Sequence, residues 1–112
     1  MDSQLKKGIL DICVLKCLEK KESYGYEIIK KLEKVLTISE STLYPILRRL
    51  EEGNYLTTHK EEHNGRLRKY YKINSAGLAR IEEFKKEWKE LKKIFEFILG
   101  GLKWKKKNSW VF

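Results

Sequence analysis

Two short stretches of this chain concentrate side chains suited to gripping a polyanion. The first, Ser41 to Leu50, carries Ser41, Tyr44, Pro45, Arg48 and Arg49 among the apolar Leu43, Ile46, Leu47 and Leu50. The second gathers Lys60, Arg66, Arg68, Lys69 and Lys72 around Asn64-Gly65, countered by Glu61 and Glu62. Hydroxyls donate to phosphate oxygens or base edges, and a guanidinium grips guanine or phosphate through two N–H groups. That is recognition chemistry, with no bond made or broken. Reaction chemistry finds no comparable concentration. No Gly-x-Gly-x-x-Gly, phosphate loop or nucleophile elbow is present, and Glu51-Glu52 and Glu82-Glu83 read as solvated faces. The chain is therefore not expected to be an enzyme. Cys13 and Cys17, and His59 and His63, share a four-residue spacing, but the two pairs lie far beyond the roughly 12-residue separation of a compact zinc finger. The cysteines also sit in an apolar run, where they act as small core residues. No visible cation cluster would activate them as a redox switch. The expectation is no metal and no cofactor.

These groups work only if the fold presents them together. On a helical wheel of about 100° per residue, Leu43, Ile46, Leu47 and Leu50 face a core. Ser41, Tyr44, Pro45, Arg48 and Arg49 take the other side or its flanks. Ser39 and Ser41 are both possible caps, and Pro45 favours the later start, since proline is best tolerated near a first turn. Gly53-Asn54 marks the end. Strand-forming residues follow over Tyr55–His59 and Lys69–Ile73, and Asn64-Gly65 suits a type I′ hairpin turn. Two helices come earlier. One runs over about Gln4–Glu19 and is apolar around more than half its circumference. The other runs from Tyr24 to about Val35, capped by Ser23, with Ile28, Ile29 and Leu32 inward. The order helix, helix, helix, hairpin is that of a winged helix-turn-helix, mainly α with a β-hairpin wing. Taken singly, each cationic feature also fits a bland role, a solvated helix face or a charged edge strand that resists aggregation. Their occurrence in this order points to double-stranded DNA.

A last helix extends from Asn74 or Ser75 to about Leu99. Ile81, Phe84, Trp88, Leu91, Phe95 and Ile98 repeat at alternating steps of three and four, a heptad seam among charged residues. At ~1.5 Å per residue it is roughly 35–40 Å long, more than a small domain can cover. A second copy is the economical cover. A homodimer is expected on this seam, with Leu10 and Val14 of the first helix beside it. The expected organisation is residues 1–73 as the winged head, 74–101 as the dimerisation helix and 102–112 as a disordered tail.

The bulk properties agree. The 112 residues carry a net charge of +9, with 37% charged residues, which favours nucleic acid over other partners. A chain so small and so charged buries only part of its surface when folded alone. No signal peptide precedes Lys6-Lys7, no apolar run approaches a membrane span of about 20 residues, and the few cysteines argue against a secreted disulfide domain. The reading is cytoplasmic. The tail holds Lys103, Lys105, Lys106 and Lys107 without an acid, a composition that also suits a membrane surface or a second nucleic-acid contact.

Three motifs carry a resemblance. Tyr24-Gly25-Tyr26-Glu27, the run Ser41-Thr42-Leu43-Tyr44-Pro45-Ile46-Leu47-Arg48-Arg49-Leu50-Glu51, and Gly65-Arg66-Leu67-Arg68-Lys69-Tyr70-Tyr71 resemble the PadR family of bacterial transcriptional regulators. The similarity covers about residues 3 to 101, and the single last helix resembles its small subfamily. The resemblance implies a dimeric repressor on a pseudo-palindromic operator, released by a signal. It implies Ser41, Thr42 and Tyr44 at the recognition helix, Tyr24 near a phosphate, and Arg66, Arg68 and Lys69 on the wing. It also implies that Trp88 can line a cavity between subunits for a flat, apolar effector, although Trp88 equally fits a plain coiled-coil core. The family usually carries proline between the two wing arginines, where this chain has Leu67. The alternative function is a winged-helix module that holds a protein partner without reading DNA sequence.

Overall fold

The computed structural model describes residues 3–100, 103–104 and 110–111, with side chains from residue 7 to residue 100. The elements run α1 (Ser3–Cys17), β1 (Ser23–Tyr24), α2 (Gly25–Leu32), α3 (Glu40–Glu52), β2 (Leu56–His63), β3 (Arg66–Ile73), α4 (Ser75–Leu99), β4 (Lys103–Trp104) and β5 (Trp110–Val111). This is the winged-helix order, with three strands more than the sequence suggests: β1 beside the hairpin, and β4 and β5 after α4.

The apolar periodicities become a single core. Leu43, Ile46, Leu47 and Leu50 of α3 are all buried, with Ile12, Val14 and Leu15 from α1, Leu18 just after it, and Ile28 and Leu32 from α2. Leu56, Tyr71 and Ile81 close it from the sheet and α4. At about 1.5–3 kcal/mol per fully buried large apolar side chain, this cluster is what holds the three helices together. Ile29 is only half-buried, and α2 ends at Leu32, one turn before the expected Val35, which is exposed.

Strand order is β1-β3-β2, all antiparallel. The hairpin is longer than the strand propensities indicate, pairing Leu56 with Ile73 through to His63 with Arg66. Its turn is the expected one: Asn64 and Gly65 both take positive φ, 51° and 79°, as a type I′ turn requires. Leu67 stays within the ladder, opposite Glu62.

Two boundaries differ from expectation for local reasons. Ser23 is not the cap of α2. It is fully buried in β1, where Lys31 donates to its hydroxyl at 2.8 Å and it donates to Glu27 at 2.7 Å. Tyr24 takes the N-cap position without a capping side chain. Helix α3 starts at Glu40 rather than after Ser41, because Ser39 supplies the cap: its Oγ accepts from the Thr42 N–H at 3.2 Å. Pro45 thus lies in the second turn and leaves the Ser41 carbonyl without its helical donor. At the other end Asn54, not Gly53, takes the left-handed conformation (φ 62°). The Tyr55 N–H reaches the Leu50 carbonyl and the Asn54 N–H that of Glu51, a Schellman closure.

The chain divides into two compact units, Met1–Ile81 and Glu82–Phe112. The first includes the opening turns of α4, because Gly77 and Ile81 are buried in it. Asn74 caps that helix, its Oδ1 accepting from the Gly77 N–H at 2.9 Å while its Nδ2 donates to the Asn54 carbonyl at 2.8 Å. Within the second unit, β4 pairs with β5, Lys103 opposite Val111 and Trp104 opposite Trp110. The remainder of the tail, and the expectation of disorder attached to it, lie outside the described residues. Among the described residues no helix is long and apolar enough to cross a membrane.

Candidate nucleic-acid interface

Core packing of one side of α3 leaves the other side in solvent. Ser41, Thr42, Tyr44 and Arg48 are exposed. The Ser41 and Thr42 hydroxyls lie 2.8 and 3.2 Å from the Ser39 hydroxyl, so the cap also arranges the first polar groups of the helix. Tyr44, 42% exposed, leans towards the start of α2. A Cβ placed on Gly25 would stand 2.6 Å from its hydroxyl oxygen, so only glycine there admits Tyr44 in this position.

The wing faces this helix. A groove of about 580 Å³ runs between them, bordered by Tyr24, Tyr26, Tyr44, Arg66, Arg68 and Lys69 among others. A second hollow of about 340 Å³, lined by Tyr44, Arg48, Glu51, Lys69 and Tyr71, shares three of its residues with the first. The two form one cationic and aromatic surface from α3 to the wing. Tyr71 is its buried floor, and burial pushes its hydroxyl pKa up, so the ring offers a neutral O–H.

Glu51 joins the two elements. It accepts from Thr58 at 3.0 Å and pairs with Lys69 at 3.4 Å, tying α3 to both wing strands. Sequence reasoning took it for a solvated acid, and only its cross-element partners reveal the role. Arg68 lies 4.0 Å over the Tyr24 ring. A side-chain hydrogen bond with Tyr70 pushes its guanidinium pKa further up, keeping it charged. Lys60 and Arg66 are exposed on the wing.

Arg49 has a different setting from the exposed groups around it. Its guanidinium forms a two-point ion pair with Asp11 of α1, one contact being Nε to Oδ2 at 3.4 Å. That pair ties α3 to α1, while Arg49 still lines a hollow with Ser41, Thr42 and Pro45 on the open side of α3. Tyr26, 57% exposed in the groove, was not singled out from sequence, though it lies within the Tyr-Gly-Tyr-Glu motif.

The residues assigned to a dimer seam divide into two groups. Val14 and Ile81 are buried within one chain and present no side-chain surface to a second copy, which corrects their assignment: packing in the head takes them up first. Leu10 and Phe84 are half-buried. Trp88, Leu91, Phe95 and Ile98 are exposed, with the Trp88 and Phe95 rings 6.2 Å apart. Ile94, Phe97 and Leu99, off the heptad seam, are exposed as well, so the apolar surface of the last turns is broader than the heptad suggests.

Cys13 and Cys17 are free thiols, both with pKa raised by burial. Among the described residues no group of three or more His, Cys, Asp and Glu is arranged to hold a metal ion.

Comparison with known proteins agrees with this geometry. The family model described as transcriptional regulator PadR-like family matches residues 14–83. An uncharacterized protein of Lysinibacillus sphaericus is 35% identical over 105 residues, spanning 89% of this chain and 96% of that protein. A PadR-like transcription factor from Bacteroides fragilis, known from its X-ray structure, is 38% identical, with a TM-score of 0.78 over 86% of this chain and 95% of that one. Bacillus subtilis PadR, solved in complex with operator DNA, is 21% identical and shares the fold at a TM-score of 0.64, over 68% of this chain and 45% of that one. With the helices, the wing and more than half of the sequence in agreement, this chain belongs to the PadR-like family of transcriptional regulators.

Proposed function

We propose that this protein is a dimeric repressor that reads a pseudo-palindromic operator in double-stranded DNA and is released by a small molecule or another signal. The observation that carries the reading is the continuous surface from α3 to the wing. On it Tyr44, Arg48, Lys69 and Tyr71 border one hollow, and Glu51 holds the two elements in register. A recognition helix in the major groove would offer Ser41, Thr42, Tyr44 and Arg48 to base edges. Tyr24, Lys60, Arg66, Arg68 and Lys69 would meet phosphates and supply most of the affinity. Arg49, paired with Asp11 and partly exposed beside Ser41 and Pro45, would add a phosphate or base contact at the edge of the helix. The operator complex of Bacillus subtilis PadR supports a DNA partner for this fold.

Dimerisation is supported by the apolar side chains that α4 leaves exposed in a single chain, Trp88, Leu91, Phe95 and Ile98, since surfaces of that kind mark interaction sites. Trp88 is the side chain best suited to a flat, apolar effector between subunits. The protein acts by binding, not by catalysis, and works in the cytoplasm beside its DNA.

The test is fluorescence anisotropy against the DNA upstream of its own gene, with a scrambled duplex and a salt titration. Preference for the native fragment with a steep salt slope supports the repressor. Equal, weak binding to both duplexes refutes it. Arg48→Ala combined with Arg68→Ala should abolish binding while leaving a complex held by α4 intact.

A further inference from the structure

One face of the wing carries a row of rings, in which Tyr24 already has a role but Tyr70 and His59 have none. Tyr24, Tyr70 and His59 stand directly opposite one another across β1, β3 and β2. Residues opposite and two apart share a sheet face, so Arg68 belongs to this row and Tyr71 to the face against the core. The contacts run in sequence. Arg68 lies 4.0 Å over the Tyr24 ring. Tyr24 meets Tyr70 edge-on at 5.6 Å, and Tyr70 stacks on His59 at 5.5 Å with 9° between planes. His59 Nε2 hydrogen-bonds Glu61 on β2 at 3.3 Å and lies 3.0 Å from a carboxylate oxygen of Glu22, just before β1. The Tyr70 hydroxyl lies 3.3 Å from His63 Nε2.

A guanidinium stacked on a ring keeps its N–H edge free for a phosphate while its plane is fixed. A bare wing arginine would have to give up rotamer freedom on binding. Resting on the DNA-binding reading above, we infer that Tyr70 and His59 are positioning residues, which hold Tyr24 and through it Arg68 ready for a phosphate. Glu61 holds the His59 ring by a hydrogen bond, with Glu22 beside it, and so anchors the far end of the row. None of the four needs to touch DNA.

A purely structural role makes a different prediction. If Tyr70 only stabilised the wing, its loss would weaken Arg66 and Lys69 as well as Arg68. The experiment is therefore a double-variant cycle, with affinity for a generic duplex measured by anisotropy at low salt and folding checked by thermal melting. A cation–π contact at an exposed site corresponds to about a two- to fivefold change in affinity. Tyr70→Leu should weaken binding by about that factor in the natural chain and cause no further loss in an Arg68→Ala background. Tyr70→Phe, which keeps the ring but removes the hydroxyl bonded to Arg68, should lose less affinity than Tyr70→Leu, and His59→Ala should give a smaller, Arg68-dependent loss. A Tyr70→Leu variant that binds as well as the natural chain overturns the inference. So does one whose loss persists undiminished without Arg68, which is the result a merely structural role requires. An Arg68→Ala variant with unchanged affinity removes Arg68 from DNA binding and overturns this inference alone, whereas a natural chain that binds no duplex overturns the underlying reading.

Discussion

A single methyl group at Gly77 tests how tightly α4 is seated on the head. A Cβ there would stand 2.3 Å from the Tyr55 carbonyl oxygen and 2.5 Å from Ile73 Cγ1, where ordinary contact begins near 3.4 Å. The first obstacle is backbone, so it cannot rotate aside. Alanine must push the first turn of α4 away from the start of β2 by about 1 Å in a close-packed interior. Overpacking of this kind costs about 1–3 kcal/mol. The shift also strains two bonds of Asn74, its N–H to the Tyr55 carbonyl at 3.3 Å and its Nδ2 to the Asn54 carbonyl at 2.8 Å, each worth about 1 kcal/mol. Alanine's better helix propensity returns only about 0.5–1 kcal/mol. The net expectation for Gly77→Ala is a loss of roughly 2–4 kcal/mol. For a domain of this size that lowers Tm by roughly 10–25 °C, read by far-UV circular dichroism and checked by urea denaturation. Gly8→Ala on α1 is the control. Nothing lies within 4 Å of its added Cβ, so the same substitution should be neutral or stabilising by up to about 1 kcal/mol. A Gly77→Ala protein melting within about 3 °C of the natural one would refute the contact argument.

Other perturbations follow from the same geometry. Gly25→Ala must displace Tyr44, whose exposed ring can swing out; stability should change by less than about 1 kcal/mol while operator affinity falls about three- to tenfold, and equal affinity would show that Tyr44 contributes no contact. Because burial raises the pKa of Cys13, Cys17 and Tyr71 above their ordinary values of 9.0 and 10.0, the folded state holds these protons more tightly than the unfolded one. Their contribution is fully present below pH 9 and is lost as pH rises through the folded values, so urea midpoints should fall above pH 9, and replacing both cysteines by alanine should leave only the Tyr71 part of that fall. Trp88→Asp with Leu91→Asp should convert the proposed dimer to monomer in sedimentation at micromolar concentration, and a dimer that persists would assign the interface elsewhere.

Much of the candidate site was legible because its signals are local. The apolar spacing of Leu43, Ile46, Leu47 and Leu50 dictates which side of α3 is buried and hence which side is free. Asn64-Gly65 dictates the hairpin turn, since few other dipeptides accept two positive φ values. The misjudged details are those where local preference competes with a distant partner. Ser23 reads as a helix cap, yet β3 recruits it into a strand and burial hands its hydroxyl to Lys31 and Glu27. Proline statistics favour a later start for α3, yet the Ser39 cap outweighs the single helical bond lost at Pro45.

Sequence alone determined the order of the four helices and the hairpin, the buried face of α3, the wing and its cations, and a family resemblance. All of these arise from periodicity, turn chemistry and residue type within a few positions. Tertiary structure alone decided that Arg49 belongs to Asp11, 38 residues away, that Glu51 ties α3 to Lys69 and Thr58, and that Val14 and Ile81 are spent in the core of one chain. A charge or a methyl group is the same in sequence whatever it meets, and packing within a few ångströms chooses its partner.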